Sequence, residues 1–420
     1  MYRFLSFLLV FMSLHVVAQD NCNKKKAAKY ADKALLKYVD GKTISSLKLY
    51  TKAINACPKS ARNYYERALV YKQLNKIDLA FDDFSTNIRY NDVSSRSFFE
   101  RGSIFLERKE YQLAIADFEK YSEMYPNEEI CLAQTAKILM DLGEFEKASG
   151  ILSHLIQLQP TTIKYLRDRV NCYINTDKLN EAKKDIDKLN EFGDTNWQKF
   201  LFEGQYFLKT KAPNKTIDLL KNAIQTDSII GEHATIRSIL SKAFYISGNL
   251  DQAIINLNKA IEIEPQTAYY FDRANYLAEA KRMKLALADY TTTIALDSLH
   301  IGAYNNRTFF IWFPQKKFQN AVNDLTKIIE IDSTNAFAYS NRSYAYYGLN
   351  DLEHAFIDAF KSVEMEQKNP YVYKNLALFY YSIGEIDEAT NAATGALHFG
   401  FPVKTDNEFE NLLQKLEMDY

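Results

Sequence analysis

The stretch FFERGSIFLERKEYQLAIADF, from Phe98 to Phe118, decides the fold. Apolar or small residues fall at Phe98, Gly102 and Phe105. After the polar residues 107–110 they resume at Tyr111, Ala114 and Phe118. Spacings of three and four put each set on one face of a helix. The stretch therefore reads as two short amphipathic helices joined by a tight turn. Gly102 and Ala114 let the helices approach closely, and the aromatic rings fill the space around them.

The pattern recurs about every 34 residues, the mark of a repeat architecture. The residue that opens the second helix sets the register: Ser46, Ala80, Ala114, Ala148, Ala182, Thr216, Ala253, Ala286, Ala321, Ala355 and Ala389. Eleven units follow, starting near Ala27, Ala61, Ser95, Glu129, Ile163, Trp197, Ala234, Thr267, Ile301, Ala336 and Pro370. The longer step from Thr216 to Ala253 places an insertion at Gly231-Glu232-His233, and a loosened joint is expected near 229–234. A further extra residue is placed near Pro314. Proline inside a helix costs about 3 kcal/mol, and all eight prolines fall at unit ends, boundaries or turns. Gly41, Gly143, Gly248 and Gly384 fall in the turn between a unit's helices, where positive φ suits glycine.

The order Phe98, Gly102, Phe105, Ala114, Phe118 and Pro126 is that of the tetratricopeptide repeat, and residues 27–403 resemble that family throughout. The resemblance implies an all-α fold: an α-solenoid of about eleven helix-turn-helix units in a right-handed superhelix, with a concave ligand-binding face. Thr405-Asp406-Asn407-Glu408 reads as a capping box before the apolar stripe Phe409, Leu412, Leu413 and Leu416. Residues 404–420 are thus expected to form a capping helix over the terminal unit's hydrophobic face.

The chain has 420 residues, and 52 basic against 53 acidic residues give no field for nucleic acid. Residues 1–18 (MYRFLSFLLVFMSLHVVA) read as a signal peptide: one cation, a short apolar run, and a small residue before the cut. Residues 19–26 lead into the first unit. An uncleaved anchor and a lipoprotein at Cys22 are the other readings of this end. The expected location is outside the cytoplasm, periplasmic or secreted, with no membrane span left after cleavage. Four cysteines, Cys22, Cys57, Cys131 and Cys172, permit three disulfide pairings there. An antiparallel hairpin could bring Cys22 to Cys57.

Six units carry Arg at the seventh position together with Asp at the twenty-third: Arg67 and Asp83, Arg101 and Asp117, Arg169 and Asp185, Arg273 and Asp289, Arg307 and Asp324, Arg342 and Asp358. The other five lack both. This joint presence points to a partly buried ion pair between a unit's two helices, with six anion-binding arginines as the functional alternative. No enzyme is indicated: the histidines are scattered, and there is no Gly-rich phosphate loop, nucleophile elbow, metal-ligand set or cofactor motif.

In the resembled family the first helix of each unit lines the groove. Transferred here, those positions give Phe271, Asn275, Asn306, Phe309, Trp312, Phe337, Asn341, Tyr344, Tyr347, Lys374, Asn375 and Tyr381, with Asp272, Asn305, Phe313 and Tyr371 among their neighbours. Aromatics interleaved with amides suit an extended peptide. Close packing of unit on unit would use the same aromatics. Arg167 and Asn171 resemble two members of the family's carboxylate clamp, but Phe202 stands where that clamp needs a polar residue. The chain is therefore expected to be a non-catalytic scaffold that binds a protein or peptide segment in its groove. The other reading is an assembly component of a cell envelope, acting through its convex face or end units.

Overall fold

The computed structural model describes residues 22–90 and 96–418. The expected signal peptide, residues 19–21 of the lead-in and the start of the third unit at Ser95 lie outside them. Among the described residues there are helices and no strands. The chain divides into two compact units, one running to Asp194 and one from Thr195.

In the first unit five helix pairs follow one another. They are Lys24–Val39 with Thr43–Ala56, Ala61–Gln73 with Ile77–Tyr90, Ser97–Glu107 with Tyr111–Met124, Glu129–Asp141 with Phe145–Leu158, and Ile163–Asn175 with Leu179–Glu191. These are repeats 1 to 5. In the second unit repeats 6 to 11 are Trp197–Lys209 with Pro213–Thr226, Ala234–Ile246 with Leu250–Ile263, Thr267–Glu279 with Met283–Leu296, Ile301–Arg307 with Phe318–Ile331, Ala336–Gly348 with Leu352–Met365, and Pro370–Ser382 with Ile386–His398. Asn407–Lys415 ends the second unit. Each unit is thus an α-solenoid of stacked hairpins.

The small residue that sets the register is buried in each hairpin. All eleven, from Ser46 to Ala389, are 0% exposed, so no larger side chain fits. The two repeats that replace alanine satisfy the hydroxyl across the hairpin: Ser46 Oγ donates to the Ala34 carbonyl at 2.8 Å, and Thr216 Oγ1 to the Gly204 carbonyl at 2.9 Å. Gly102 faces Phe118 so closely that an added Cβ would lie 2.8 Å from its ring.

Every hairpin turns on one left-handed residue. Four are the expected glycines, but Asn75, Lys109, Asp177, Lys211, Lys281, Lys316 and Asn350 fill the same place in the other repeats, with φ of 53–61°. The next amide then closes the turn onto a carbonyl five residues back, as Lys76 N to Tyr71 at 2.9 Å.

Three expectations are corrected. The insertion after repeat 6 is packed rather than loose: Ser228–Glu232 forms a 3-10 helix, Ile230 and Gly231 are buried, and Arg237 Nε donates to the Gly231 carbonyl at 2.8 Å. His233 stacks on Trp197 with ring centroids 4.1 Å apart. The extra residue of repeat 9 lies before Pro314, inside the first helix, which continues as a π-helical turn from Thr308 to Trp312. Finally, Asp406 rather than Thr405 caps the last helix, accepting from Phe409 N at 3.0 Å. The 3-10 turn Val403–Thr405 moves the helix start by one residue. Phe409, Leu412 and Leu413 are buried against repeat 11, as a cap requires.

Cys22 and Cys57 form a disulfide that ties the chain before the first helix to the end of the second. Cys131 and Cys172 are free and buried.

Candidate functional site

All six Arg–Asp partners meet as two-pronged ion pairs. Arg67, Arg101, Arg169, Arg273, Arg307 and Arg342 each present Nε and Nη2 to the two carboxylate oxygens of Asp83, Asp117, Asp185, Asp289, Asp324 and Asp358 at 2.6–2.9 Å. The fork geometry matches guanidinium to carboxylate and makes these strong charge-assisted bonds. The Asp side chains are 3–8% exposed.

A third contact extends each pair to the preceding repeat. Arg Nη1 donates to Thr51, Ser85, Ser153, Asn258, Thr291 or Thr326, on the second helix of the repeat before. The motif is therefore a three-point staple within each unit. In repeats 4, 6, 7 and 11, which lack the arginine, the place sixteen residues upstream holds Glu119, Asp187, Ile224 and Phe360. Where the arginine is present, five of the six partners stand sixteen residues before it and Asn258 fifteen, a co-occurrence that the sequence carries. Each guanidinium thus has three of its five N–H donors engaged within the helix stack. Repeat 6 opens the second unit and has Glu203 at the Arg position, paired at 2.8 Å with Lys199 of its own helix.

The groove residues divide. Phe309, Phe337, Asn341, Tyr344, Lys374 and Asn375 line one cavity of about 380 Å³ in repeats 9 to 11, with Asn305, Phe313, Tyr371, Phe401 and Asp406. Three of them are internally committed. Asn375 is buried and its Nδ2 donates to the Ser340 carbonyl at 2.8 Å, tying repeat 11 to repeat 10. Lys374 is buried too, 3.1 Å from Asp406 Oδ2, 3.4 Å from Glu408 Oε2 and 4.3 Å above the Tyr344 ring. Tyr344 donates to Glu408 Oε2 at 2.8 Å. Burial, reinforced by Glu408, pushes the Tyr344 phenol well above its ordinary range. By contrast Phe309, Phe337 and Tyr371 are 61, 52 and 45% exposed. They are the open rings of the site.

The remaining candidates lie elsewhere. Phe271 packs on His300, and Asn275 accepts from both Tyr290 OH at 2.7 Å and Asn306 Nδ2 at 2.9 Å. Tyr347 rests against Phe379, and Tyr381 lies under Lys415. Trp312 is a correction: it is 8% exposed and donates Nε1 to Asp324 Oδ2 at 2.8 Å. The π-turn moves it one place, into the slot that Tyr71, Phe105, Tyr173 and Tyr346 fill beside the arginine in other repeats. Phe313 inherits the cavity position. Sequence reading also missed Asp406 and Glu408, whose only signal was their acidity at the start of the cap.

The first unit has a larger cavity, about 490 Å³, near the disulfide, lined by alanines and mixed charges including Asp32, Arg62 and Glu66. It lacks exposed rings, the side chains that carry most binding energy at interfaces. Among the described residues no cluster of His, Cys, Asp or Glu could hold a metal, and no helix is long and apolar enough to cross a membrane.

Residues 234–267, which span repeat 7, match the family model described as Tetratricopeptide repeat. No curated protein matches the chain in sequence. Among solved structures the chain is similar to the APC/C hetero-tetramer Cut9–Hcn1, at 14% identity over 93% of this chain and 84% of that one, with a TM-score of 0.46. It is similar to a monomeric IFIT1 mutant at 16% identity over 89% and 90%, with a TM-score of 0.48. It is also similar to MamA at 19% identity over 42% and 94%, with a TM-score of 0.38. Repeat 7 is thus matched by the tetratricopeptide-repeat model, and the other helix pairs follow the same register.

Proposed function

We propose that the chain is an exported scaffold that binds an extended peptide or protein segment along the first-helix face of repeats 9 to 11, without catalysis. One observation carries this reading: three large aromatic rings, Phe309, Phe337 and Tyr371, stand open around a cavity beside the amides Asn305 and Asn341. Phe337 meets Tyr371 edge to face and Tyr371 meets Phe401, yet about half of each ring still faces water, and rigid aromatic anchors lose little entropy on binding. The side chains around them are fixed by the helix stack, so the surface is preformed. Export is supported by the character of residues 1–18 and accords with the Cys22–Cys57 disulfide, which persists outside the reducing cytoplasm.

The test is selection of displayed random heptapeptides on the full chain, repeated on a variant carrying Phe309→Ser, Phe337→Ala and Tyr371→Ala. Loss of capture with an unchanged thermal midpoint supports the groove. Capture that survives all three substitutions sinks it. If the variant instead changes molecular mass in light scattering, these rings serve assembly. Amino-terminal sequencing of the protein recovered from its native host tests export, and an intact Met1 in the cytoplasmic fraction would refute it.

A further inference from the structure

We infer that this cavity receives a lysine or arginine side chain from the docked segment, an inference that rests on the groove reading above. Lys374 and Asp406 line the cavity, and Glu408 adjoins it through Lys374 and the Tyr344 hydroxyl, so one cation stands against two carboxylates. The side chain of Lys374 is 7% exposed and lies between both carboxylates and the Tyr344 ring, so its charge is already answered. Asp406 and Glu408 are the more open, at 26 and 44%. One negative charge is thus left over beside the aromatic rings of the cavity.

The two features select the same guest. Ring faces carry negative quadrupole density and attract ammonium or guanidinium groups. Lys374 over Tyr344 at 4.3 Å is that contact already made inside the fold. A guest cation over the open faces of Phe337 and Tyr371, whose rings meet edge to face at 6.4 Å, would add the surplus carboxylate to the ring attraction. An acidic guest would meet repulsion from both. An aliphatic guest would take water from the carboxylates and return no charge. The stem of a lysine or arginine also packs well on rings while its head stays polar. Asp406 keeps its second duty throughout, since the oxygen that caps the last helix is Oδ1 and the one near Lys374 is Oδ2.

The experiment uses heptapeptides selected on the full chain and kept only if capture needs Phe337 and Tyr371. Enrichment of Lys or Arg at one position is expected. Replacing that residue by norleucine should weaken binding about tenfold. Asp406→Asn with Glu408→Gln, which preserves shape and an N-cap acceptor, should weaken the parent peptide equally and the norleucine peptide hardly at all. The peptide substitution needs no refolding of the protein, so a damaged cap cannot mimic the result. Enrichment of Asp or Glu, or affinity indifferent to both changes, overturns the cation while leaving the groove reading intact. If no selected peptide depends on Phe337 and Tyr371, the groove reading falls and this inference falls with it.

Discussion

Removing Arg169 tests the staple where it is most enclosed. Its guanidinium grips Asp185 at 2.7 and 2.8 Å and Ser153 Oγ at 2.9 Å, with side-chain exposures of 14% for the arginine and 3% for the aspartate. Arg169→Leu strands a carboxylate that has no route to water, at a cost of about 3–5 kcal/mol. Asp185→Leu strands a guanidinium on a long arm at a more open place. The charged hydrogen bonds it loses suggest a smaller cost, about 2–3 kcal/mol. Ser153→Ala removes one shared bond and should cost about 1 kcal/mol. The double Leu variant leaves no stranded charge, so it should cost far less than the sum of its parents. Repeat arrays need not unfold in one step. The fitting assay is therefore native-state hydrogen exchange of the amides in Ile163–Asn175 and Leu179–Glu191, alongside urea melts. If the two single losses add within about 0.5 kcal/mol, the pair carries no coupling and the reasoning is refuted.

Other outcomes follow from the same geometry. Cys22→Ser opens a loop whose ends are 35 residues apart, and should cost repeat 1 about 3–4 kcal/mol in a chain-entropy account; thiol titration of the unreduced, denatured wild type should find two thiols. Lys281→Gly relieves a side chain held at φ 60° and should stabilise by about 0.5–1 kcal/mol in a urea melt. Burial raises the carboxyl of Asp272 above 3.8, with Lys242 only partly opposing it. A raised folded pKa means that the charged form costs stability at neutral pH, and that the cost fades as pH falls toward the unfolded value. Asp272→Asn should thus raise the thermal midpoint at pH 7, with the gain shrinking toward pH 4.

The scaffold was legible because its determinants are local and repeated. A buried position that holds only a small side chain recurs at Ser46, Ala80 and on to Ala389, and each copy averages out accidents in the others. The turns were less legible. Lysine and asparagine pay only about 1–2 kcal/mol to adopt the left-handed conformation, so Lys109 or Asn350 can stand where a reader looks for glycine. Within the repeat, the hydrogen bonds that close the turn outweigh that cost.

The site was less legible still, and Trp312 shows why. Counting from the start of repeat 9 puts it at a groove position, yet a one-residue slip in a helix rotates every later side chain by about 100°. Two sequence facts contained the slip. Arg307 and Asp324 are 17 apart where the other five pairs are 16. Four of those arginines also have an aromatic four residues on, whereas Arg307 has Ile311 there and Trp312 one place later. Placing the extra residue between Arg307 and Trp312 satisfies both facts, whereas placing it near Pro314 satisfies only the first. The staple thereby works as a ruler: a conserved contact inside the repeat locates an insertion that hydrophobic periodicity leaves free to slide. The ruler ends at the cap, where no staple continues beyond Asp358. Asp406 and Glu408 accordingly had to be found in space, by the charge they bring to Lys374.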